Sequence, residues 1–448
     1  MSSETSPEVQ IVEFEFDELS VRQLHDVLQL RCDVFVVEQE CVYPEVDGKD
    51  PGALHVLATV DGELAAYLRV LTEHGVLHIG RVVTAPAHRG HGLAAKLVEH
   101  VVSRRPGHRW ELEAQAHLVS WYERFDFAAI SEPFDLDGIP HVQMRRLPDP
   151  DAEDFDYDEF ALFTDNTVDA GLPAHGDVPV RRITHDLADG RQLSALHFGG
   201  DPQVVFVHGT AQNAHTWDTV VLAMGPERGM LCIDLPGHGH SSWRDDKAYD
   251  VGSLAADVVE LVRSSTSQPV VLVGMSLGGL VATRVAATAP ELVRRLVTVD
   301  ITPGVTREKA KYIHEFVAGP QTFDTFGVLL DRTRQFNPTR SVSSLHRGIL
   351  HNASRQADGS WAWRYDRRGR DGEGSPVGDL WPDVEALEMP HLLVRGGADG
   401  SVVDDADVEE LGRRRPESRV VLVEGAGHSV QGDRPVELAE LLLAELDA

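Results

Sequence analysis

The sequence of 448 residues is poor in the features that mark several protein classes. Its three cysteines, Cys32, Cys41 and Cys232, are too few and odd in number for a disulfide framework, which favours free thiols in a reducing compartment. No stretch approaches the ~18 apolar residues of a membrane span, and the N-terminus lacks the pattern of a signal peptide. Metal-type spacings of cysteine and histidine are also lacking. We therefore expect a cytoplasmic protein without a membrane or metal site.

Basic residues are scarce relative to acidic ones. The chain has 41 Lys and Arg against 72 Asp and Glu, a formal net charge of -31. Such a surface repels nucleic-acid phosphates and anionic lipid, so small molecules are the expected partners. With 42% hydrophobic residues, the chain is long enough for about two to four domains that each bury a core.

The acidic residues concentrate between two regions of different pattern. Residues 149–179 hold ten acidic side chains and no Lys or Arg, with several Pro and Gly residues that disfavour a helix. We interpret this segment as a self-repelling, extended linker. The alternative is an acidic docking strip with four aromatic anchors, Phe155, Tyr157, Phe160 and Phe163.

The regions on either side of this segment differ in the order of their predicted elements. Residues 1–148 contain a strand hairpin around Asp61-Gly62, followed by further strands and helices in a mixed order. Residues 180–448 contain short, nearly all-apolar strands that alternate with helices, which is typical of a buried parallel sheet. The predicted fold class is therefore α/β, with two domains at residues 1–148 and 180–448.

In the N-terminal region, a glycine-containing turn leads from a predicted strand at residues 76–83 into a helix. The unpaired N–H groups and positive dipole end of such a helix start suit a pyrophosphate. Within the turn, Arg89-x-x-Gly92-x-Ala94 matches the signature of the GNAT superfamily of N-acetyltransferases, which this region resembles. The resemblance implies that acetyl-CoA is held by strand residues Val82, Val83 and Thr84 and by the loop and helix residues Arg89, Gly90, His91, Gly92, Leu93, Ala94 and Ala95.

A second part of the resemblance lies downstream. Gln115 and the segment around Tyr122 are similar to the family's Asn…Tyr-x-x-x-Gly-Phe pattern, with Gln115 and Asp126 in place of the usual Asn and Gly. The resemblance implies that Gln115 contacts the cofactor and that Tyr122 is the general acid for the departing thiolate. Five further segments together resemble the ElaA-type acetyltransferases, namely residues 30–39, 47–48, 80–82, 114–117 and 137–141.

The acceptor side of this region is less defined. Candidates for the general base are Glu38, Glu113 and His117, each of which has a structural alternative as a polar residue that stabilises the fold. An acidic pocket would favour a cationic amine, which must lose a proton before it attacks the thioester.

In the C-terminal region, a buried strand at residues 270–273 runs into Gly274-Met275-Ser276-Leu277-Gly278 and then into a helix. This Gly-x-Ser-x-Gly arrangement exposes a serine hydroxyl on a sharp strand-to-helix turn. Earlier in the chain, another strand leads into His208-Gly209-Thr210. Residues 180–448 thereby resemble the serine enzymes of the α/β-hydrolase superfamily. The resemblance implies Ser276 as the nucleophile and the N–H groups of Thr210 and Leu277 as the oxyanion hole.

The remaining members of a catalytic triad follow the serine in the order acid, then histidine. His428 comes directly after the strand at 420–423 and its Gly-rich turn, and is the expected base. Asp399, after the strand at 391–394, is the expected acid, although Asp404, Asp405 and Asp407 follow closely. Asp300, after the preceding strand of the sheet, is an outside alternative.

The resemblance also implies a helical lid at about residues 303–381. Four aromatic residues in it line an apolar pocket or, equally, form the core of the lid itself: Phe323, Phe326, Trp361 and Trp363. A serine at the nucleophile position disfavours the branches of this superfamily whose nucleophile is an Asp carboxylate. Esters, lactones, thioesters and carbon–carbon bonds beside a carbonyl remain open as substrates.

The sequence thus predicts a fusion of an acetyl-CoA-dependent N-acetyltransferase with a serine hydrolase that needs no cofactor. The alternative is that only the hydrolase is active. In that case the N-terminal region is an acyl-CoA-binding or assembly module, since its acceptor residues are the least defined.

Overall fold

The computed structural model describes residues 8–173, 176–367 and 380–447, and its chain divides into two units between Asp156 and Tyr157. The first unit has eight strands and three helices among its described residues. The strands are β1 Val9–Glu15, β2 Ala53–Val60, β3 Glu63–Glu73, β4 Val76–Thr84, β5 Trp110–Gln115, β6 Ala128–Ala129, β7 Phe134–Leu136 and β8 Ile139–Arg146. The helices are α1 Val21–Arg31, α2 Leu93–Arg104 and α3 Val119–Tyr122, with a π-helical segment, Cys32–Glu38, directly after α1.

The strands of the first unit form one sheet in the order β1-β2-β3-β4-β5-β8-β6, with β7 also paired to β8. Neighbouring strands are antiparallel except β4 and β5, which run parallel. The β2–β3 turn has both Asp61 and Gly62 at positive φ, 52° and 86°, as a two-residue type I′ hairpin requires. Helix α2 covers the sheet with a fully buried stripe that includes Leu97, Val98 and Val101.

The second unit contains eleven strands in its described part. These are β9 Val180–Asp186, β10 Gln192–Phe198, β11 Val204–Val207, β12 Met230–Ile233, β13 Val270–Met275, β14 Val293–Val299, β15 Thr322–Phe323, β16 Ala353–Arg355, β17 Trp361–Trp363, β18 His391–Gly396 and β19 Arg419–Val423. Its helices are α4 Phe163–Asp169, α5 Asp218–Met224, α6 Val251–Ser265, α7 Leu277–Thr288, α8 Lys311–Val317, α9 Phe326–Phe336, α10 Val342–Asn352, α11 Trp381–Glu385, α12 Asp405–Arg414, α13 Val430–Asp433 and α14 Pro435–Asp447.

The large sheet of this unit has the order β19-β18-β14-β13-β11-β12-β10-β9. The six strands predicted as a buried parallel sheet all pair in parallel, while β9 and β10 add an antiparallel edge. Alternate residues of β11 enter separate hydrophobic clusters, Val204 and Phe206 on one face and Val205 and Val207 on the other. Helices therefore cover both faces, which explains why these strands carry apolar residues at every position.

The prediction of an extended linker at residues 149–179 is wrong. Tyr157 and the residues after it belong to the second unit, where helix α4 places Phe163 in the main hydrophobic cluster with 3% of its surface exposed. Phe160 packs against the same cluster, and Glu159 forms an ion pair with Arg182 of β9. The apolar surface that these aromatic residues bury offsets the repulsion between the acidic side chains. Two of the four predicted anchors, Phe160 and Phe163, therefore pack into the hydrophobic core of the second unit.

The residues before this boundary fold against the first unit. Asp149 donates its N–H to the Pro106 carbonyl, and Asp154 accepts hydrogen bonds from the Gly107 N–H and the His108 ring. A side chain at Gly107 would collide with the backbone of Asp154 and Phe155, so a glycine is required at this contact. The acidic stretch is therefore shared between the two units.

The region predicted as a helical lid is an insertion between β14 and β18. Its described residues form helices α8, α9 and α10 and a three-stranded antiparallel sheet in the order β15-β17-β16, which the sequence did not predict. The four aromatic residues are all at least 94% buried and contact one another edge-on, Phe323 with Trp363 and Phe326 with Trp361. They form the core of the insertion, the second of the two alternatives. Part of the predicted lid, 368–379, lies outside the described residues.

No helix among the described residues combines the length and the apolar character needed to cross a membrane.

Candidate functional site

The parallel strands β4 and β5 separate in the first unit and leave an opening in the sheet. They pair from Leu77 to Ile79 of β4, whereas β4 continues to Thr84 and β5 to Gln115 without further pairing between the two. The predicted cofactor residues Val82, Val83 and Thr84 lie on this unpaired stretch, and Val83 and Thr84 pair with β3 on the other side. Their free edge can therefore accept an extended group as an additional strand.

The predicted pyrophosphate loop lies at the end of β4 and the start of α2. Gly90 and Gly92 have φ values of 80° and 73°, a left-handed conformation that turns the chain into the helix. Gly92 is the N-cap of α2 and supplies no capping side chain, so the first N–H groups of the helix have no capping acceptor from it. The residues Gly90 to Ala95 thus present the arrangement that favours an anion.

Arg89 of the signature makes a bidentate ion pair with Glu38 at 2.9 and 2.8 Å. The Arg89 guanidinium lowers the pKa of the Glu38 carboxyl, which weakens this candidate as a general base. The other two candidates, Glu113 and His117, are exposed. Geometry therefore disfavours Glu38 and leaves Glu113 and His117 open.

Tyr122 lies in α3 with 6% of its surface exposed, packed edge-on against Trp121 and Phe127. Burial raises the pKa of its phenol well above the ordinary value, so the group stays protonated as a general acid must. Gln115, at the end of β5, donates from Nε2 to the side-chain oxygen of Gln39 at 3.3 Å. Gln115 thus lies at the end of β5, one of the two strands that border the opening, and Tyr122 lies in α3, the helix that follows β5 in the chain.

In the second unit, Ser276 occupies the sharp turn between β13 and α7. Its φ and ψ of 52° and -123° are strained for a residue with a Cβ atom, and 8% of its surface is exposed. A side chain at Gly278 would collide with the carbonyl oxygens of Val207 and His208, and one at Gly274 would collide with the backbone of Gly278. The two glycines of the motif are required by this close packing of strand and helix.

His428 lies after β19, and its Nδ1 bonds to Oδ2 of Asp300 at 2.8 Å. Asp300 is fully buried and accepts three more hydrogen bonds, from the N–H groups of Gly396 and Val402 and from the Ser401 hydroxyl. The Nδ1–H group of His428 donates to this carboxylate, which leaves the ring's lone pair on Nε2. The His428 Nε2 is buried and has no hydrogen-bond partner among the described residues, so it is available to take a proton.

The prediction that Asp399 orients the histidine is wrong, because Asp300 occupies that position. Asp300 comes immediately after β14, the strand next to β13, which ends just before Ser276. Asp399 lies three residues beyond the end of β18, on an exposed part of its loop. Both residues carry the same sequence signal, an Asp after a buried strand, and they differ in the position of that strand in the sheet and in the geometry of the loop.

The predicted oxyanion donors lie on both sides of the serine. Leu277 begins α7, and Thr210 lies in the loop after β11, the strand paired with β13 on the side opposite to β14. No described residue accepts a hydrogen bond from either backbone N–H. The loop is close to Ser276, since a Cβ atom on Gly209 would lie 3.1 Å from the Cβ atom of that residue. Two free donors next to a serine suit the charge of a tetrahedral intermediate.

Comparison with known proteins shows the family to which this unit belongs. A sequence model of the alpha/beta hydrolase family matches residues 204–441, more than half of the chain. The chain belongs to the alpha/beta hydrolase family. The esterase Rv0045c of Mycobacterium tuberculosis is 43% identical over 299 residues, which cover 65% of this chain and 96% of that protein. A solved structure of that esterase has a TM-score of 0.59 at 42% identity and covers 65% of this chain and 99% of its own.

Ahead of the alpha/beta hydrolase domain, a model of the GNAT acetyltransferase domain matches residues 23–148. Protein ElaA of Escherichia coli K12 is 42% identical over 139 residues, 29% of this chain and 90% of that protein. The predicted pairing of an ElaA-like GNAT domain with an alpha/beta hydrolase domain is therefore confirmed.

Proposed function

We propose that the hydrolase domain cleaves carboxylic esters through Ser276, His428 and Asp300. The observation that carries the proposal is the 2.8 Å bond between His428 and Asp300, beside a serine on a strained strand-to-helix turn. The esterase relative, which this chain covers almost completely, supports an ester over the other acyl bonds considered from the sequence.

In the proposed reaction, His428 Nε2 removes the Ser276 proton while Oγ attacks the ester carbonyl carbon. The N–H groups of Thr210 and Leu277 stabilise the resulting oxyanion, and each such donor contributes roughly 2.7–4 kcal/mol in comparable sites. The alkoxide departs with the proton from His428 and leaves an acyl-serine. Water, deprotonated by His428, then attacks the acyl carbon and releases the acid and the free serine.

The test uses Ser276→Ala, with the exposed Ser267→Ala as the matched control. We expect the first variant to lose p-nitrophenyl ester hydrolysis and covalent labelling by a fluorophosphonate, while the second keeps both. Labelling that persists in Ser276→Ala would contradict the assignment of the nucleophile.

For the GNAT domain, we propose transfer of the acetyl group of acetyl-CoA to a small primary amine. The splayed strands β4 and β5 and the uncapped start of α2 support this proposal, because they offer an edge for the pantetheine and donors for the pyrophosphate. The neutral amine attacks the thioester carbonyl, the C–S bond breaks, and Tyr122 donates its proton to the departing thiolate. The nitrogen of the new amide loses its extra proton to water, and the Tyr122 phenolate takes a proton back from water.

The corresponding experiment measures CoA release from acetyl-CoA with a thiol reagent across a panel of amines, using the full chain. Amine-dependent release supports the transferase. Tight binding of acetyl-CoA with no release on any amine would instead support the alternative of a non-catalytic acyl-CoA-binding module.

A further inference from the structure

The loop that carries the proposed oxyanion donor Thr210 has an unusual backbone. Ala211, the next residue, has a φ of 59°, in the left-handed region that residues with a Cβ atom rarely adopt. Such a conformation persists only where the surroundings hold it. Within the loop, Gly209 donates its N–H to Oε1 of Gln212 at 2.9 Å, which tightens the turn but leaves the Ala211 carbonyl to bond outside the loop.

That carbonyl is held by Asn352, the last residue of α10 in the insertion. Asn352 Nδ2 donates to the Ala211 oxygen at 2.6 Å, and Oδ1 accepts from Nδ2 of Asn213 at 3.2 Å. Asn352 is 8% exposed, so water competes little with these bonds. The Asn352 amide thus donates to the Ala211 carbonyl and accepts from the Asn213 side chain, and these two bonds together fix one orientation of the amide.

The end of α10 is itself firmly anchored. Arg364 donates its N–H to the Asn352 carbonyl at 2.8 Å. The ring of His351 stacks on that of His215, with centroids 3.7 Å apart and planes at 10°. His215 is held in turn by Oδ2 of Asp218, 2.9 Å from its Nδ1. These contacts hold the end of α10, from which the Asn352 side chain reaches the loop with Ala211.

The same three side chains bring metal-ligating atoms within 4.8 Å of one another, namely those of His215, Asp218 and His351. Because the two imidazole rings are stacked, their nitrogen lone pairs lie in nearly parallel planes and do not meet at a common point. This packing supports the end of α10 and does not form a cation site.

We propose that Asn352 is a positioning residue of the hydrolase, which holds Ala211 so that the Thr210 N–H faces the reacting carbonyl. The proposal rests on the ester hydrolysis proposed above. It gives the insertion an indirect part in the oxyanion hole, through a residue that lies far from Ser276 in the sequence and that no motif marks.

The test compares Asn352→Asp and Asn352→Ala with the full-length wild type. Aspartate keeps the acceptor for Asn213 but replaces the donor to Ala211 by a repelling oxygen, and alanine removes both bonds. We expect kcat for p-nitrophenyl butyrate to fall about 10- to 100-fold in both variants, with KM changed less than about threefold. A trifluoromethyl ketone, which forms a tetrahedral adduct with the serine, should lose affinity by the same factor as kcat/KM.

The matched control is Asn337→Asp. Asn337, at the C-terminal end of α9 in the same insertion, also donates to a backbone carbonyl, that of Thr333 at 2.9 Å, but it has no contact with the oxyanion loop. Titration of the active serine with a fluorophosphonate counts the folded sites, so that kcat is expressed per competent site even where a variant is partly unfolded.

Two results would overturn the proposal, and they are distinguishable. In the first, the wild type hydrolyses the ester and both Asn352 variants keep its kcat per titrated site and its affinity for the ketone. This result refutes the positioning role of Asn352 and leaves the proposed ester hydrolysis standing. If the wild type shows neither turnover nor labelling at Ser276, the ester hydrolysis fails and the role of Asn352 fails with it. Loss of kcat with parallel loss of ketone affinity, and no loss in Asn337→Asp, supports the proposal.

Discussion

Replacing Asp300 by asparagine separates the role of this carboxylate from that of Asp399. Asp300 accepts the Nδ1 proton of His428 at 2.8 Å, and an amide at this position either offers a donor to Nδ1 or turns its oxygen there. In the first orientation the histidine takes the wrong tautomer, with its proton on Nε2, and cannot accept the proton of Ser276. Asparagine in place of the triad acid lowers kcat about 10⁴-fold in a well-studied serine protease, which corresponds to about 5.4 kcal/mol.

The structure also predicts a cost to stability. The two Asp300 oxygens accept from the N–H groups of Gly396 and Val402 as well as from Ser401 and His428. Whichever way the amide turns, its NH₂ group opposes one of these backbone donors and leaves it without an acceptor. A buried donor without an acceptor costs about 1–3 kcal/mol, so we expect the free energy of unfolding to fall by that amount.

The assay is p-nitrophenyl ester hydrolysis by Asp300→Asn, with rates corrected for the folded fraction from circular dichroism. Asp399→Asn is the matched control, since Asp399 is exposed and also follows a strand of the same sheet. We expect this control to stay within about twofold of the wild type. A large loss in Asp399→Asn together with near-normal activity in Asp300→Asn would refute the reasoning.

Three further predictions concern the rest of the chain. Tyr122→Phe should slow amine-dependent CoA release about 10²- to 10⁴-fold while acetyl-CoA affinity is kept, and equal rates would argue against a general acid here. Phe163→Ala, in the core of the hydrolase unit, should cost about 3–5 kcal/mol in urea unfolding, whereas an independent linker would show no change. The hydrogen-bonded Arg69 guanidinium holds the pKa of the Asp47 carboxyl well below its usual range. Asp47→Asn should therefore destabilise the chain by about 1.5–3 kcal/mol at pH 7, and this difference should shrink as the pH falls below about 4, where the unfolded carboxyl is protonated. A difference independent of pH would contradict the ion pair.

The sequence predicted the features that depend on only a few neighbouring residues. The strands of the parallel sheet, the turn at Asp61-Gly62 and the start of α2 at Leu93 follow from apolar runs and glycine positions, which act over a few residues. Ser276 and His428 were predicted for the same reason, because the sharp turn and the loop at the strand end need small residues on either side of them.

The acidic segment shows where composition misled the prediction. Ten carboxylates and no basic residue favour an extended chain in isolation. The folded unit offsets this repulsion with partners distant in sequence, such as Arg182 for Glu159, and with the burial of Phe163. No local pattern marks these partners, so a charge count over the segment alone could not include them.

What the sequence by itself determined is the set of chemical groups and the strand end at which each one lies. Only the tertiary structure decided which of them meet. Asp300 and Asp399 carry the same local signal, but strand order places Asp300 beside the strand that leads into Ser276, and loop geometry leaves Asp399 exposed. Asn352 carries no signal at all, since its contact with Ala211 joins residues 141 positions apart. Contacts of that range depend on how the elements pack, and no pattern over a few neighbouring residues encodes them.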